Sequence, residues 1–60
     1  MHHDIHVGDF VEILDGPHKG DVAPVESIDL GFESPFVLCM EDVLGTYHES
    51  FRADQVKAFD

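Results

Sequence analysis

The side chains best suited to chemistry in this sequence are its one cysteine and its five histidines. Cys39 and His48 flank the same short turn, which brings them close together if the two flanking segments form a hairpin. A thiol beside an imidazole is the pairing that nucleophilic catalysis requires, and His18 is a further candidate partner. However, Cys39 lies between Leu38 and Met40 in an apolar run, where a lone cysteine is usually a small buried hydrophobic residue. We therefore expect Cys39 to belong to the core, and we expect a protein that is not an enzyme.

The amino terminus offers a second kind of chemistry. Met1, His2 and His3 supply a terminal amine, two backbone amides and an imidazole, which together form a square-planar site for Cu(II) or Ni(II). A terminal tail lacks the outer hydrogen bonds that fix the geometry of a functional metal centre, so a site at His3 would be incidental. We expect residues 1–6 to be a flexible tail. We expect neither a functional metal nor a cofactor.

Two loops carry the residues best placed to contact a partner. Residues 15–21 contain two glycines and a proline, so this loop either only turns the chain or presents His18 and Lys19 as a contact surface. Residues 29–34 contain Leu30 and Phe32, an apolar pair that either plugs one end of the domain or anchors a partner. Acidic residues border both loops, and they are Asp15, Asp21, Asp29 and Glu33.

The pattern that positions these residues is β throughout. Apolar and polar residues alternate with a period of two, and Gly or Pro interrupts the stretches that would be long enough for an amphipathic helix. The pattern predicts five strands, a hairpin turn at 42–45 and a 3₁₀ turn at 53–55 before the last strand. The predicted strands are residues 10–14, 22–28, 35–41, 46–52 and 56–59.

Five short strands in about 50 residues are too few for two packed sheets of useful size. Closing them into a barrel also removes exposed sheet edges. The sequence therefore predicts an all-β fold, a five-stranded antiparallel barrel that forms a single domain over residues 7–60. Pro24 has no backbone donor, so it predicts a bulge or an edge position in the second strand. The expected core residues are Val11, Ile13, Val25, Val37, Cys39, Phe51 and Val56.

Charge disfavours several classes of partner. Thirteen acidic residues stand against three basic ones, which gives a formal net charge of −10. Lys19, Arg52 and Lys57 are too few to neutralise a nucleic-acid backbone, and the net charge repels anionic membranes. The apolar runs are far shorter than the roughly 20 residues of a membrane span, and no signal peptide is visible. We expect a cytoplasmic monomer that binds neither nucleic acid nor membranes directly.

Residues 7–25 resemble the KOW motif of SH3-like barrels in transcription-elongation and ribosomal proteins. Residues 51–57 also resemble the closing 3₁₀ turn and last strand of such domains, so the likeness spans about 50 of the 60 residues from its first to its last matching position. The resemblance implies the SH3-like fold. It departs from the family pattern at Ala23, where the second strand usually begins with Gly, and in the shortage of basic residues. The matching positions are Gly8-Asp9, Val11-Ile13, Gly16-Pro17, Lys19-Gly20 and Val25.

A shorter segment resembles a second group of proteins. Residues 35–43, in which Pro35 opens a Val-containing strand, are similar to the middle of the SH3-like accessory subunits of photosystem I and of ferredoxin-linked reductases. Those subunits are scaffolds for electron-transfer partners. This resemblance implies contact with other proteins rather than catalysis.

Three functional hypotheses follow from the loops, the charge and the resemblance. The first is a non-enzymatic protein-binding module that contacts a basic protein through loops 15–21 and 29–34 and their acidic rim. The second is a nucleic-acid mimic, whose carboxylates imitate phosphates and block a nucleic-acid-binding protein. The third is a KOW-type domain that binds RNA, the ribosome or a transcription complex, which the charge disfavours.

Overall fold

Five antiparallel strands form one sheet in the computed structural model, which describes residues 4–59. The predicted fold class is confirmed, with a 3₁₀ turn, Ala53–Gln55, before the last strand. Within the described range no helix is long and apolar enough to cross a membrane. The strands are β1 (Phe10–Ile13), β2 (Val22–Ile28), β3 (Phe36–Asp42), β4 (Gly45–Phe51) and β5 (Val56–Ala58), in the spatial order β4-β3-β2-β1-β5.

The sheet is curled, and β2 is the strand that changes partner. Up to Pro24 it pairs with β1, and from Val25 onward it pairs with β3. The Val25 N–H donates to the Asp9 carbonyl on the β1 side, so the Pro24 nitrogen faces the other side. Its missing N–H costs little there, because pairing with β3 begins only at Val25.

The two outer strands of the sheet approach each other at one end. β4 and β5 are its outer strands, yet only residues 52–55 separate them along the chain. Such a short connection requires the sheet to curl until its edges approach each other, as in an SH3-like barrel. Phe51 at the end of β4 and Val56 at the start of β5 belong to the same core.

A β-bulge interrupts the pairing of β2 with β3. Val25 lies opposite Leu38 and Ser27 opposite Val37, which leaves Glu26 as the extra residue on β2. Val25 faces the core, whereas Glu26 and Ser27 are both exposed. The irregularity that Pro24 predicts in this strand is therefore present, shortly after the proline.

The core lies between the two halves of the curled sheet, and every strand contributes to it. Ile5 also packs against it, although it belongs to the segment predicted to be a flexible tail. Residues 1–3, which hold the donors of the incidental Cu(II) or Ni(II) site, lie outside the described residues. The buried hydrophobic residues that form this core are Val11, Ile13, Ala23, Val25, Leu38, Met40, Phe51 and Val56.

The predicted facing of β3 is wrong. Leu38 is 0 % exposed and Met40 5 %, whereas Val37 and Cys39 are only half-buried. Alternation alone does not choose a face here, because both faces of β3 are apolar over most of its length. Glu41 shares the face of Val37 and Cys39, and burying its carboxylate without a partner would be costly. Cys39 therefore lies on the outer face rather than in the core.

Candidate functional site

The loop between β1 and β2, residues 14–21, is held by its own backbone. The Lys19 N–H donates to the Gly16 carbonyl (3.1 Å) and the Asp21 N–H to the His18 carbonyl (3.0 Å). The Gly20 N–H donates back to the end of β1 at a distance of 2.8 Å. These bonds fix the backbone of His18 and Lys19, from which their side chains project.

His18 fastens this loop to β4. Its Nε2 lies 3.4 Å from the hydroxyl of Tyr47 and 3.5 Å from a carboxylate oxygen of Glu49. Its Nδ1 lies 3.8 Å from a carboxylate oxygen of Asp21, and the side chain is 27 % exposed. β1 and β4 are not neighbours in the sheet, so these contacts join two parts of the described chain that strand pairing does not connect. His18 thus has a structural role, and Lys19 is left exposed beside it.

Tyr47 lies in an acidic environment created by the same arrangement. Partial burial raises the pKa of Tyr47 above its ordinary value, and the carboxylates of Glu49, Asp42 and Asp21 raise it further. All of these effects disfavour the phenolate. The hydroxyl therefore keeps its proton and stays a hydrogen-bonding partner for His18.

The loop between β2 and β3, residues 29–35, presents two apolar side chains to solvent. The Asp29 N–H donates to the Pro35 carbonyl (2.8 Å) and the Phe32 N–H to the Asp29 carbonyl (3.2 Å). Leu30 is 83 % exposed and Phe32 is 67 % exposed. The possibility that this pair plugs the barrel is therefore excluded, because buried side chains are needed to fill its end.

Leu30 and Phe32 border different grooves. Leu30 lies at a groove of about 750 Å³ that is also lined by Ile5 and by all of β5. Phe32 lies at a smaller groove of about 420 Å³, beside Val37 and Ser50 on the outer face of the sheet. The loop thus separates two concave surfaces and contributes one apolar side chain to each.

The two predicted contact loops do not meet. They lie at opposite ends of β2, which has seven residues and is therefore about 20 Å long. At one end Asp15 accepts a hydrogen bond from the Gln55 amide (3.1 Å), and Asp21 is near His18. At the other end Asp29 and Glu33 flank the apolar pair in sequence. The predicted residues therefore form two separate acidic surfaces.

The hairpin tip between β3 and β4 is a further exposed apolar site that the sequence-based prediction did not include. Val43 is 100 % exposed and Leu44 93 %. The Leu44 N–H donates to the Asp42 side chain at 2.7 Å, and Gly45 has a φ of +128°. A signal was present in the sequence, because two apolar residues stand in a hairpin turn where Asn, Asp or Gly is usual.

Most of the positive charge of the described residues is already neutralised within the chain. Arg52 lies 3.1 Å from Asp54, and Lys57 lies 3.7 Å from Glu12. Over residues 4–59, Lys19 is the one Lys or Arg without a carboxylate at ion-pair distance. The structure therefore presents no basic surface in this range.

Three side chains of the types that bind metals lie together on the outer face of the sheet. Cys39 on β3 is directly opposite His48 on β4, and Glu26 projects beside them from β2. The predicted proximity of the thiol and the imidazole is thus present, but on the exposed side of the sheet.

Comparison with known protein families gives a match to the first half of the domain, which contains both loops. The family model of the KOW motif matches residues 7–37, from the segment before β1 to the second residue of β3. The chain belongs to the KOW family. Its motif is typical of small domains that often take part in RNA or ribosome binding. Searches of curated proteins and of solved structures give no match.

The matched segment of this KOW domain contains both predicted contact loops. It ends before Cys39, and so it excludes the hairpin tip and the His48 imidazole. The family match therefore accounts for the two glycine-containing loops and for β1 and β2. It says nothing of the exposed apolar tip or of the outer face of β4.

Proposed function

We propose that this KOW domain is a non-enzymatic protein-binding module whose partner presents a basic surface with apolar pockets. One observation supports this most strongly. Leu30 and Phe32 are exposed on a loop that backbone hydrogen bonds hold in place, with Asp29 and Glu33 beside them. An apolar side chain that has no role in the core is available for contact with another protein.

The energetics of such a loop suit an interface anchor. Burying a Leu or Phe side chain completely is worth about 1.5–3 kcal/mol, and a few such residues dominate most protein interfaces. A loop that is already ordered loses little conformational entropy on binding. Leu30 and Phe32 border separate grooves, so a partner would insert beside each of them rather than cover a single patch.

The charge specifies what kind of partner would be attracted. Thirteen acidic and three basic residues give a field that draws basic surfaces and repels polyanions. Arg52 and Lys57 are already paired with carboxylates of the same chain. A basic protein would therefore associate faster than a neutral one, with Asp29 and Glu33 forming the rim of the contact.

Affinity capture with matched baits tests this proposal. The baits are the wild type, the Leu30→Ala/Phe32→Ala variant, and a Val43→Ser/Leu44→Ser control that removes equally exposed apolar side chains elsewhere. We expect the wild type and the control to retain the same proteins from nuclease-treated lysate, and the loop variant to lose them. Equal capture by all three baits would overturn the assignment of the contact to this loop.

A captured partner then allows the rim to be tested. Neutralising the carboxylates should mainly slow association, with an effect that fades as salt rises, because charges are screened within about 8 Å at 0.15 M. Removing the apolar pair should cost more affinity at physiological salt. The opposite result, with nucleic acid competing for the partner, would make nucleic-acid mimicry the better explanation. The rim variant changes Asp29 and Glu33 to their amides.

RNA binding is the second candidate function, and the KOW match favours it. A gel shift with mixed RNA at low salt, where electrostatic binding is strongest, distinguishes it from protein binding. We expect no shift at micromolar protein, because Lys19 is the one Lys or Arg that has no carboxylate partner among residues 4–59. A shift that weakens steeply with salt would place RNA binding first.

A further inference from the structure

Three different metal-binding groups meet on the outer face of the sheet. They are the thiol of Cys39, the imidazole of His48 and the carboxylate of Glu26, which come from β3, β4 and β2. One donor atom of each lies within 4.8 Å of the donor atoms of the other two. The sequence predicts the proximity of Cys39 and His48 from the hairpin, but it gives no sign of Glu26, which precedes Cys39 by 13 residues.

The pairing of the strands explains why these groups meet. Cys39 and His48 are directly opposed in the β3–β4 ladder, a relation that places Cβ atoms about 4.5–5.5 Å apart. Glu26 is the extra residue of the bulge in β2, and bulges redirect side chains and occur often beside functional sites. The bulge thus turns a carboxylate towards a thiol–imidazole pair that regular pairing has already formed.

These side chains have no competing partners in the described structure. No side-chain hydrogen bond or ion pair among residues 4–59 involves Glu26, Cys39 or His48. The next residue after His48 differs in this respect, since the carboxylate of Glu49 lies 3.5 Å from the imidazole of His18. Three donors that face one another without bonding can be joined by a single cation.

We propose that Glu26, Cys39 and His48 bind one Zn²⁺ ion. Sulfur, nitrogen and oxygen at about 2.0–2.3 Å are the ligands that Zn²⁺ takes in proteins, and tetrahedral geometry puts them roughly 3.5 Å apart. The donors must therefore close in by at most about 1.3 Å, which exposed side chains on adjacent strands achieve by small rotations. Three protein ligands leave the fourth position to water.

The charges of this site also balance. The Cys39 thiol gives its proton to solvent on binding, and the resulting thiolate together with the Glu26 carboxylate offsets the two charges of the metal. A neutral His48 completes the set. Mg²⁺ and Ca²⁺ prefer oxygen ligands alone, so a site with sulfur and nitrogen donors discriminates against them. The chain's net charge of −10 attracts cations at long range.

Calorimetric titration of the full chain with Zn²⁺, under a non-chelating reductant, tests the proposal. It is done in the wild type and in a His2→Asn/His3→Asn background, so that amino-terminal donors do not contribute. We expect one ion per chain in that background, and a rise in the thermal midpoint with added Zn²⁺, because an ion that binds the folded state stabilises it. No binding in the background variant would overturn the proposal.

Single variants assign the ligands. Cys39→Ser, His48→Asn and Glu26→Gln should each weaken Zn²⁺ binding, with a loss on the order of tenfold or more. Glu41→Gln is the matched control, since it removes an exposed carboxylate from the same face of β3. We also expect Co²⁺ to give a thiolate charge-transfer band that Cys39→Ser abolishes. A band that survives Cys39→Ser, or equal losses in Glu26→Gln and Glu41→Gln, would refute this ligand set.

Discussion

The free energy of unfolding should respond very differently to truncation of Leu38 and of its neighbour Cys39. Leu38 is 0 % exposed and pairs with Val25 at the centre of the core. Replacing such a leucine by alanine costs about 2–5 kcal/mol, because the cavity left behind collapses only in part. A 60-residue chain has a total stability of about 3–9 kcal/mol. Leu38→Ala should therefore remove a large fraction of the stability.

Cys39→Ala is the matched comparison, one residue away on the same strand. Its side chain is half-buried on the outer face, and it loses a single sulfur atom. We expect a cost of about 1 kcal/mol or less, near the range of surface substitutions. One kcal/mol corresponds to about 4–8 °C in the melting temperature of a domain of this size. Leu38→Ala should thus lower the midpoint by at least about 8 °C, and Cys39→Ala by clearly less.

Thermal unfolding followed by circular dichroism measures both variants, in the presence of a chelator and a reductant. The chelator removes any contribution from metal bound to Cys39, so that the comparison reports packing alone. Met40→Ala serves as a second core truncation and should resemble Leu38→Ala, because Met40 is 5 % exposed. If Cys39→Ala proved as destabilising as Leu38→Ala, the facing of β3 described here would be refuted.

Two further predictions concern Tyr47 and the turn glycines. Tyr47 is the one tyrosine and the chain has no tryptophan, so its ultraviolet absorbance reports the ionisation of this group alone. The midpoint should lie above about 10 in the folded protein and return to about 10 in urea. Because the pKa of Tyr47 is higher in the folded state than in the unfolded state, the contribution of Tyr47 to the free energy of unfolding is intact below pH 10 and is lost as pH rises through the folded-state pKa. Equal titration midpoints in the folded and the urea-unfolded protein would contradict this prediction. Gly45→Ala should lower the free energy of unfolding by about 1–2 kcal/mol, because a φ of +128° strains the backbone of a residue with a Cβ. A steric clash does not contribute, since the new Cβ meets no atom within 4 Å. Gly31→Ala, where φ is not in that region, should leave the melting temperature nearly unchanged, and similar losses in both would point to a cause other than φ.

The strand positions could be read from the sequence because local chemistry determines them. The limits of β2 are Val22 and Ile28 as predicted, since Gly20 lies just before it and Gly31 soon after it. The facing of β1 also followed from the pattern, because a charged residue stands between two apolar ones. Glu12 lies outside while Val11 and Ile13 are buried.

The contacts of the candidate sites could not be predicted in the same way. His18 meets Tyr47 29 residues further along the chain, and nothing near either residue signals the contact. The curl of the sheet decides it, and that curl depends on the pairing of several strands at once. The exposure of Leu30 and Phe32 was equally open, because an apolar pair in a loop fits a plug as well as an anchor until the loop's path is known.

The spacing of the apolar residues in β2 is the sequence feature from which the bulge could have been predicted, and the bulge affects both the core and the outer face. Val25 and Ile28 are apolar with two polar residues between them, a separation of three that regular alternation does not allow. In an unbroken strand Ser27 would face the core and Ile28 would face solvent. The bulge reverses this, so that Ile28 packs against the core and Ser27 is exposed. The same extra residue is Glu26, so the insertion that keeps Ile28 packed against the core also places a carboxylate beside Cys39.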